Sequence, residues 1–294
     1  MTEILENLAQ LSVLVFVIGS MMSMGLSLTT QQIMDPLTDL RLVIMALVAS
    51  FILIPIVAYA IILVMPLDES VVIGLILLST AAGAPFLPKL AEVAKGNTAF
   101  SVGLMVLLMV VTIIYLPLVL PLLLQGVEVN PWEIAQSLIV MMLIPLAIGL
   151  FIKARYEDTA KKIQPTFGLA SNIALLALLV LGLVLNFESM IALVGTGGIL
   201  AGILFILASL VIGYLLGGSD SGIKSVMGLG TAQRNIAAAL VVAAQNFGSD
   251  VITYLMVIAL VGLVILMPAA GELGKRQAKA AGTADEPETT EAAA

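Results

Sequence analysis

Nine stretches of mainly apolar residues follow one another along the chain, and they constrain its fold more than any other feature. Each is long enough to cross a bilayer, which takes about 20 apolar residues in a helix. Only 11% of the 294 residues are charged, compared with about 25% in soluble domains. The sequence therefore predicts an all-α membrane protein with nine transmembrane helices. The predicted spans are residues 8–28, 41–65, 71–94, 99–124, 132–152, 169–185, 191–216, 223–245 and 251–273.

The distribution of Lys and Arg predicts how the spans are oriented. Ten of the 12 basic residues fall near the loops on one side of the predicted spans, and the loops on the other side contain Asp and Glu instead. Basic loops stay in the cytoplasm, so we expect the N-terminus on the outer side of the cell membrane and the C-terminus in the cytoplasm. The N-terminal residues lack the basic start of a signal peptide, so the first stretch is expected to remain as a span. Residues 274–294 have no apolar periodicity and are predicted to form a disordered cytoplasmic tail.

Missing residue types exclude several functional classes. The chain contains no His and no Cys, so it lacks the imidazole and thiolate groups on which most zinc sites, haem ligation and Ser-His or Cys-His catalysis depend. No pair of acidic residues lies within the apolar part of any predicted span. The basic residues are spread over several loops and form no nucleic-acid footprint. The sequence therefore predicts neither an enzyme nor a nucleic-acid-binding protein, and it indicates no organic cofactor.

Two of the predicted spans are interrupted. In the third, Gly83, Pro85 and Pro88 fall within six residues, and proline removes a helical hydrogen bond. In the eighth, the polar segment 230–235 interrupts an apolar run, and Asn235 and Thr231 are both good N-cap candidates for the helix that follows. Paired interruptions in two halves of a chain point to a transporter binding site. Spans 2–4 and 7–9 run in opposite directions, so we predict an inverted repeat in which two broken helices cross.

Four motifs resemble the bile acid:sodium symporter superfamily in a nine-span form, by their order and spacing. They are SMMSMGLSLT near the first span, ILIP in the second, AKGNTAFSVGL after the first interruption and GTAQRNIAAAL in the second. The resemblance implies a core domain of spans 2–4 and 7–9 (residues 41–124 and 191–273) and a panel domain of spans 1, 5 and 6 (residues 8–28 and 132–185). It also implies sodium-coupled transport of organic anions, by rocking of the panel against the core.

The side chains that the resemblance implies for sodium binding are mostly replaced in this chain. Of six positions, only Ser101 keeps the family's residue. The replacements are Leu87 and Pro88 for a Ser-Asn pair, Met105 for a threonine, Gly228 for a glutamate and Ser50 for a glutamine. Sodium is therefore a possible coupling ion whose remaining ligands are side-chain hydroxyls and backbone carbonyls. These candidate cation ligands are Ser101, Ser50, Gly228, Leu229 and Thr231.

Arg234 is the most informative single residue, because an arginine at the centre of a span costs about 2.5–3.5 kcal/mol on insertion scales. Either it anchors an anionic substrate, or it donates hydrogen bonds to carbonyls freed by the interruption. Lys89, with Glu92 three residues later, is either one half of an ion pair near the cytosol or a fixed positive charge that replaces bound sodium. The other substrate-binding candidates, which could instead satisfy freed backbone, are Gln233, Asn235, Thr231, Ser79 and Thr80.

The sequence thus predicts a secondary transporter of a small organic anion, in the bilayer and working by alternating access with sodium coupling. One alternative is a sodium-independent carrier in which Lys89 or Arg234 supplies the fixed charge. A second alternative is a channel or sensor. A channel would present polar stripes along several helices, whereas the spans of this chain are apolar between the two interruptions.

Overall fold

The computed structural model describes residues 2–124, 130–185, 193 and 195–284, and within these ranges the chain is helical without a β-strand. Seven helical segments of this part of the chain are long and apolar enough to cross a membrane. They are Asn7–Ser27, Leu40–Val64, Thr98–Leu123, Pro131–Arg155, Gly198–Leu216, Ser221–Asn246 and Ser249–Lys279. An all-helical membrane protein is therefore confirmed, whereas the nine-span arrangement with its inverted repeat stays a prediction.

The described helices of seven or more residues are numbered here in chain order. They are α1 (Thr2–Ser27), α2 (Leu40–Val64), α3 (Glu69–Thr80), α4 (Leu87–Val93), α5 (Thr98–Leu123), α6 (Pro131–Arg155), α7 (Glu157–Leu185), α8 (Gly198–Leu216), α9 (Ser221–Ala232), α10 (Ile236–Asn246) and α11 (Ser249–Ala284). The predicted third span is divided between α3 and α4, and the predicted eighth between α9 and α10. The predicted sixth span forms the second half of α7.

Each of α2 and α6 contains one π-helical turn, at Ala49–Leu53 and Ile139–Leu143. Each turn ends two residues before a proline, Pro55 or Pro145. Proline has no N–H and its ring crowds the carbonyl four residues earlier, and a π turn inserts the extra residue that relieves this contact. In α2 the Ile54 N–H donates to the Ala49 carbonyl. The next donor in this pattern would be residue 55, so Pro55 leaves the Ser50 carbonyl without a helical N–H.

Helix α1 packs along α7 and against α6. The Oγ of Ser171 donates to the Phe16 carbonyl at 2.9 Å, and α1 approaches α6 so closely that a Cβ on Gly25 would lie 2.4 Å from the Leu146 carbonyl oxygen. The remaining long helices pack around the two interrupted segments, with contacts from α11 to α3 and from α8 to α9. The chain thus places three helices beside a larger group that holds both interruptions.

The C-terminal helix α11 is longer than the sequence predicted. It continues to Ala284, and the Nε2 of Gln277 donates to the Ser225 Oγ at 2.9 Å and to the Ser221 carbonyl at 3.3 Å. The structure thus describes residues 274–284 as the end of a helix in contact with α9, where the sequence predicted disorder. Residues 285–294 lie outside the described part of the chain.

Candidate functional site

The two interruptions meet each other, and Asn235 joins them. Its backbone N–H donates to the Ala81 carbonyl at 3.0 Å, and its side-chain Nδ2 donates to the Gly83 carbonyl at 3.0 Å. Its Oδ1 accepts from the Ala238 N–H at 3.0 Å, so Asn235, rather than Thr231, is the N-cap of α10. One fully buried side chain therefore starts a half-helix and holds the extended segment 81–84 against it.

Arg234 lies beside this junction with 4% of its surface exposed. Its Nε donates to the Leu78 carbonyl at 2.8 Å, and Nη2 donates to the Ser79 carbonyl at 2.7 Å and, more weakly, to the Ser50 carbonyl at 3.4 Å. Nη1 donates to the Thr231 carbonyl at 3.2 Å. All four acceptors are main-chain oxygens freed by a helix end or by Pro55. These contacts are the ones expected if Arg234 donates hydrogen bonds to carbonyls freed by the interruption, which was the second of its two interpretations.

Thr112 of α5 holds the first interruption and was not singled out from the sequence. Its Oγ1 accepts from the Ala82 N–H at 2.9 Å and donates to the Ala82 carbonyl at 3.0 Å. A single threonine in an apolar helix ordinarily bonds to its own helix, so no sequence signal distinguished it. Beside it, Gly83 has φ of +80° and packs directly against the backbone of α5.

Replacing Thr112 with Val is expected to lower stability by about 2–4 kcal/mol, because both polar groups of the buried Ala82 peptide lose their partner. Thermal unfolding in detergent measures the loss. Thr253 gives the matched control, since its Oγ1 is buried without a partner and Thr253→Val removes no hydrogen bond. Equal stability of the two valine variants would contradict the role of Thr112.

The remaining substrate-binding candidates face the protein interior. The hydroxyls of Ser79 and Thr80 donate to the Ile76 carbonyl of their own helix at 2.8 and 3.0 Å. Thr231 points towards α8, where a Cβ on Gly213 would lie 2.5 Å from its Oγ1. Gln233 and Arg234 line a void of about 20 Å³, which is room for about one water molecule.

A much larger cavity, of about 750 Å³, lies between α1 and α7 on one side and α4 and α5 on the other; we call it the larger cavity. Its volume is within the usual range for small-molecule sites. Lys89 and Glu92 of α4 line it and pair at 2.8 Å, with both side chains more than half exposed. The opposite wall carries hydroxyl and amide groups. These polar residues of α1 and α7 are Ser20, Ser23, Ser27, Gln164, Ser171 and Asn172.

A second cavity lies at the other end of α1. It has a volume of about 250 Å³, is lined by residues of α1, α6 and α10, and includes Gln10 and Gln245. We call it the smaller cavity. At its edge the hydroxyl of Ser137 on α6 donates to the Gln245 side chain on α10. Between the cavities, Val17 and Met21 of α1 are fully buried. The two cavities therefore lie at opposite ends of one interface.

A family model described as the Sodium Bile acid symporter family matches residues 13–193. The chain belongs to that family. It is also 26% identical, over 163 residues, to the uncharacterized sodium-dependent transporter YocS of Bacillus subtilis (strain 168). That match covers 54% of this chain and 50% of the relative, so it spans about half the length of each protein. The predicted membership of the sodium bile acid symporter family is therefore confirmed.

The positions that the family resemblance implies for sodium do not form a cation site in this member. Leu87 and Leu104 fill the space beside α9, where a Cβ on Gly230 would lie 2.9 and 3.3 Å from their methyl groups. Met105 is buried as well and lines the larger cavity. The Ser101 hydroxyl donates to the Thr98 carbonyl at 2.6 Å.

The other candidate cation ligands do not complete such a site. A Cβ on Gly228 would lie 3.0 Å from the Leu210 carbonyl oxygen, so Gly228 faces α8. The Leu229 carbonyl accepts from the Gln233 N–H at 2.8 Å. The Ser50 Oγ is buried without a partner, while the Ser50 carbonyl is taken up by the guanidinium. The residues present therefore do not fit a sodium ion at this place.

Proposed function

We propose that this chain is a secondary transporter of a small organic anion and that it works by alternating access. The moving parts are a core built from α2–α5 and α8–α11 and a panel built from α1, α6 and α7. With α3–α4 and α9–α10 each counted as one broken span, the helices correspond to nine passes. The N-terminus then lies outside the cell membrane and the C-terminus in the cytoplasm.

The observation that carries the proposal is the unequal opening of the interface between panel and core. At one end the larger cavity separates α1 and α7 from α4. At the other end α10 packs against α1 and against the first half of α6, and Ser137 bonds to Gln245 across the gap. A site that is open at one end and closed at the other is the arrangement that alternating access requires. The larger cavity is the proposed substrate site in its cytoplasm-facing state.

Within this site Lys89 is the cation available to an anionic substrate, since the donors of Arg234 are directed at carbonyl oxygens. A carboxylate that enters the larger cavity competes with Glu92 for the Lys89 ammonium group, and the hydroxyls and amides of the panel wall bind its remaining oxygens. Hydrogen bonds to a charged group contribute about 1.5–3 kcal/mol each. The Lys89–Glu92 pair therefore serves as an exchangeable contact in this proposal.

Lys89→Gln is expected to weaken substrate binding by about 10- to 100-fold, which corresponds to the loss of one charge-assisted hydrogen bond. The KM for uptake into proteoliposomes measures the change. Lys161→Gln is the matched control, because Lys161 pairs with Glu157 in a solvent-exposed position on α7. A KM that is the same in both variants would remove Lys89 from the proposed site.

Uptake of a panel of small carboxylates into proteoliposomes tests the function itself. A carrier gives saturable uptake and counterflow of labelled substrate against unlabelled substrate in the lumen, whereas the alternative of a channel or sensor gives neither. The names of the family and of the Bacillus relative support coupling to sodium. Uptake driven by a sodium gradient, compared with potassium and choline gradients, tests this point. Absence of counterflow with every carboxylate would refute the proposal.

A further inference from the structure

Two half-helices end with their C-termini at the same place, the guanidinium of Arg234. Leu78 and Ser79 belong to the last turn of α3, and Thr231 belongs to the last turn of α9. The last four carbonyls of a helix have no helical partner, and a helix C-terminus carries a partial negative charge. The carbonyl of Ser50, freed by Pro55, adds a fourth oxygen. The chain thus gathers four oxygen ligands and two negative helix ends around one point.

A cluster of this kind is where a broken-helix transporter binds its coupling cation, because unwound carbonyls and half-helix C-termini coordinate the ion. In this chain the guanidinium of Arg234, a cation that is part of the protein itself, already fills the cluster. Arginine stays charged in proteins and offers five N–H donors in a planar fork, and four hydrogen bonds to carbonyls are formed here. No Asp or Glu of the described residues is among its hydrogen-bond partners.

The neighbouring carbonyls are occupied as well. The Tyr115 hydroxyl donates to the Phe51 carbonyl at 2.6 Å, Asn235 takes those of Ala81 and Gly83, and Thr112 takes that of Ala82. On another face of α9, the side chain of Leu87, one of the six positions that the family resemblance implies for sodium, packs against Gly230. A metal ion at this junction would have to displace the guanidinium and would then lie beside its positive charge.

We propose that Arg234 is a tethered cation that permanently replaces a bound coupling ion at the junction, so that this chain folds and transports without sodium. The proposal rests on the transport function proposed above and deepens it by removing sodium from the mechanism. The sequence left open whether Lys89 or Arg234 supplies the fixed positive charge that replaces bound sodium. The proposal assigns this role to Arg234. Arg234 holds the broken helices together, and Lys89 is left to contact the substrate.

The first test uses the unaltered protein. Its melting temperature in detergent and its uptake rate in proteoliposomes are measured in sodium, potassium and choline chloride at equal ionic strength. We expect both quantities to be the same in all three salts. A ligand that binds the folded state raises its melting temperature by several degrees when saturating, so a saturable rise specific to sodium would overturn the proposal. Uptake that requires sodium would overturn it too.

The second test removes the tether. Arg234→Ala is expected to melt at a lower temperature and to recover part of the loss in millimolar ethylguanidinium chloride, but not in choline chloride. Arg155→Ala, at an exposed arginine, is the control and should respond to neither salt. If Arg234→Ala does not fold, Arg234→Lys keeps the charge with fewer donors and should fold with reduced stability. An unchanged melting temperature in Arg234→Lys and in any folded Arg234→Ala would contradict the proposal.

The two proposals fail in different ways. If no organic anion is transported in any salt, the proposed function is refuted, and the melting temperatures still decide whether Arg234 acts as the cation of the junction. If transport occurs and requires sodium, the proposed function stands and the tethered cation is refuted.

Discussion

Cross-linking Cys residues introduced by Ser137→Cys and Gln245→Cys is expected to stop transport almost completely, and a reductant is expected to restore it. The two side chains join α6 of the proposed panel to α10 of the proposed core at the closed end of their interface. If the substrate enters when this end opens, a covalent link across it holds the protein in one state. A bifunctional methanethiosulfonate reagent suits this pair, because its spacer spans the distance that the longer glutamine side chain bridges.

The chain provides an unusually clean background for this experiment, since it contains no Cys of its own. Ser225→Cys with Gln277→Cys is the matched control: it is also a Ser–Gln pair in contact between two helices, but both helices belong to the proposed core. Linking that pair should leave uptake unchanged, as should either single variant at the closed end after treatment with the reagent. Full uptake by the protein linked between residues 137 and 245 would contradict movement of the panel against the core.

Gly83→Ala is expected to cause the largest loss of stability of any single methyl addition discussed here, at least about 3 kcal/mol. Gly83 has φ of +80°, a conformation that is strained for a residue with a side chain. A Cβ there would lie 2.2 Å from the Met109 nitrogen and 2.6 Å from the Met105 carbonyl oxygen. Both neighbours are backbone atoms of α5, so no rotamer change can relieve the contact, and the segment that Thr112 and Asn235 hold must move.

Gly271→Ala is the control for Gly83→Ala, because nothing lies within 4 Å of the added methyl group and the site is inside α11. Alanine is favoured over glycine in a helix by up to about 1 kcal/mol, so this variant should melt at the same or a higher temperature. Expression in the membrane and thermal unfolding in detergent measure both variants. A Gly83→Ala protein as stable as Gly271→Ala would show that the junction tolerates displacement from α5.

The positions of the interruptions follow from the sequence because their causes are local. Pro85 and Pro88 lack the N–H that a continuing helix needs, Gly83 supplies a backbone conformation that other residues avoid, and Asn235 caps the helix that it precedes. Each effect acts over fewer than five residues. The family resemblance rests in part on the same segments, and the family is confirmed by a match over residues 13–193.

The limits of the sequence appear at residues whose partners are distant in the chain. Most substrate-binding residues predicted from the sequence lie near Arg234. The larger cavity is instead lined by Lys89 and by polar residues of α1 and α7. In the sequence these residues are single serines and amides in apolar helices, so nothing marked them as a site. The bond between Ser23 and Gln164 joins residues 141 positions apart. Similarly, the end of α11 lacks an apolar pattern, and its contact with α9 through Gln277 joins residues 52 positions apart.

The sequence by itself determined that the chain lies in a membrane, where its helices break and which two residues were candidates to cap the second half-helix. These follow from apolar length and from backbone rules that act within one or two turns. The tertiary structure alone decided where the guanidinium of Arg234 points and which helices leave a cavity between them. A freed carbonyl and a buried charge must each find a partner in a medium without water, and that partner depends on which helices become neighbours.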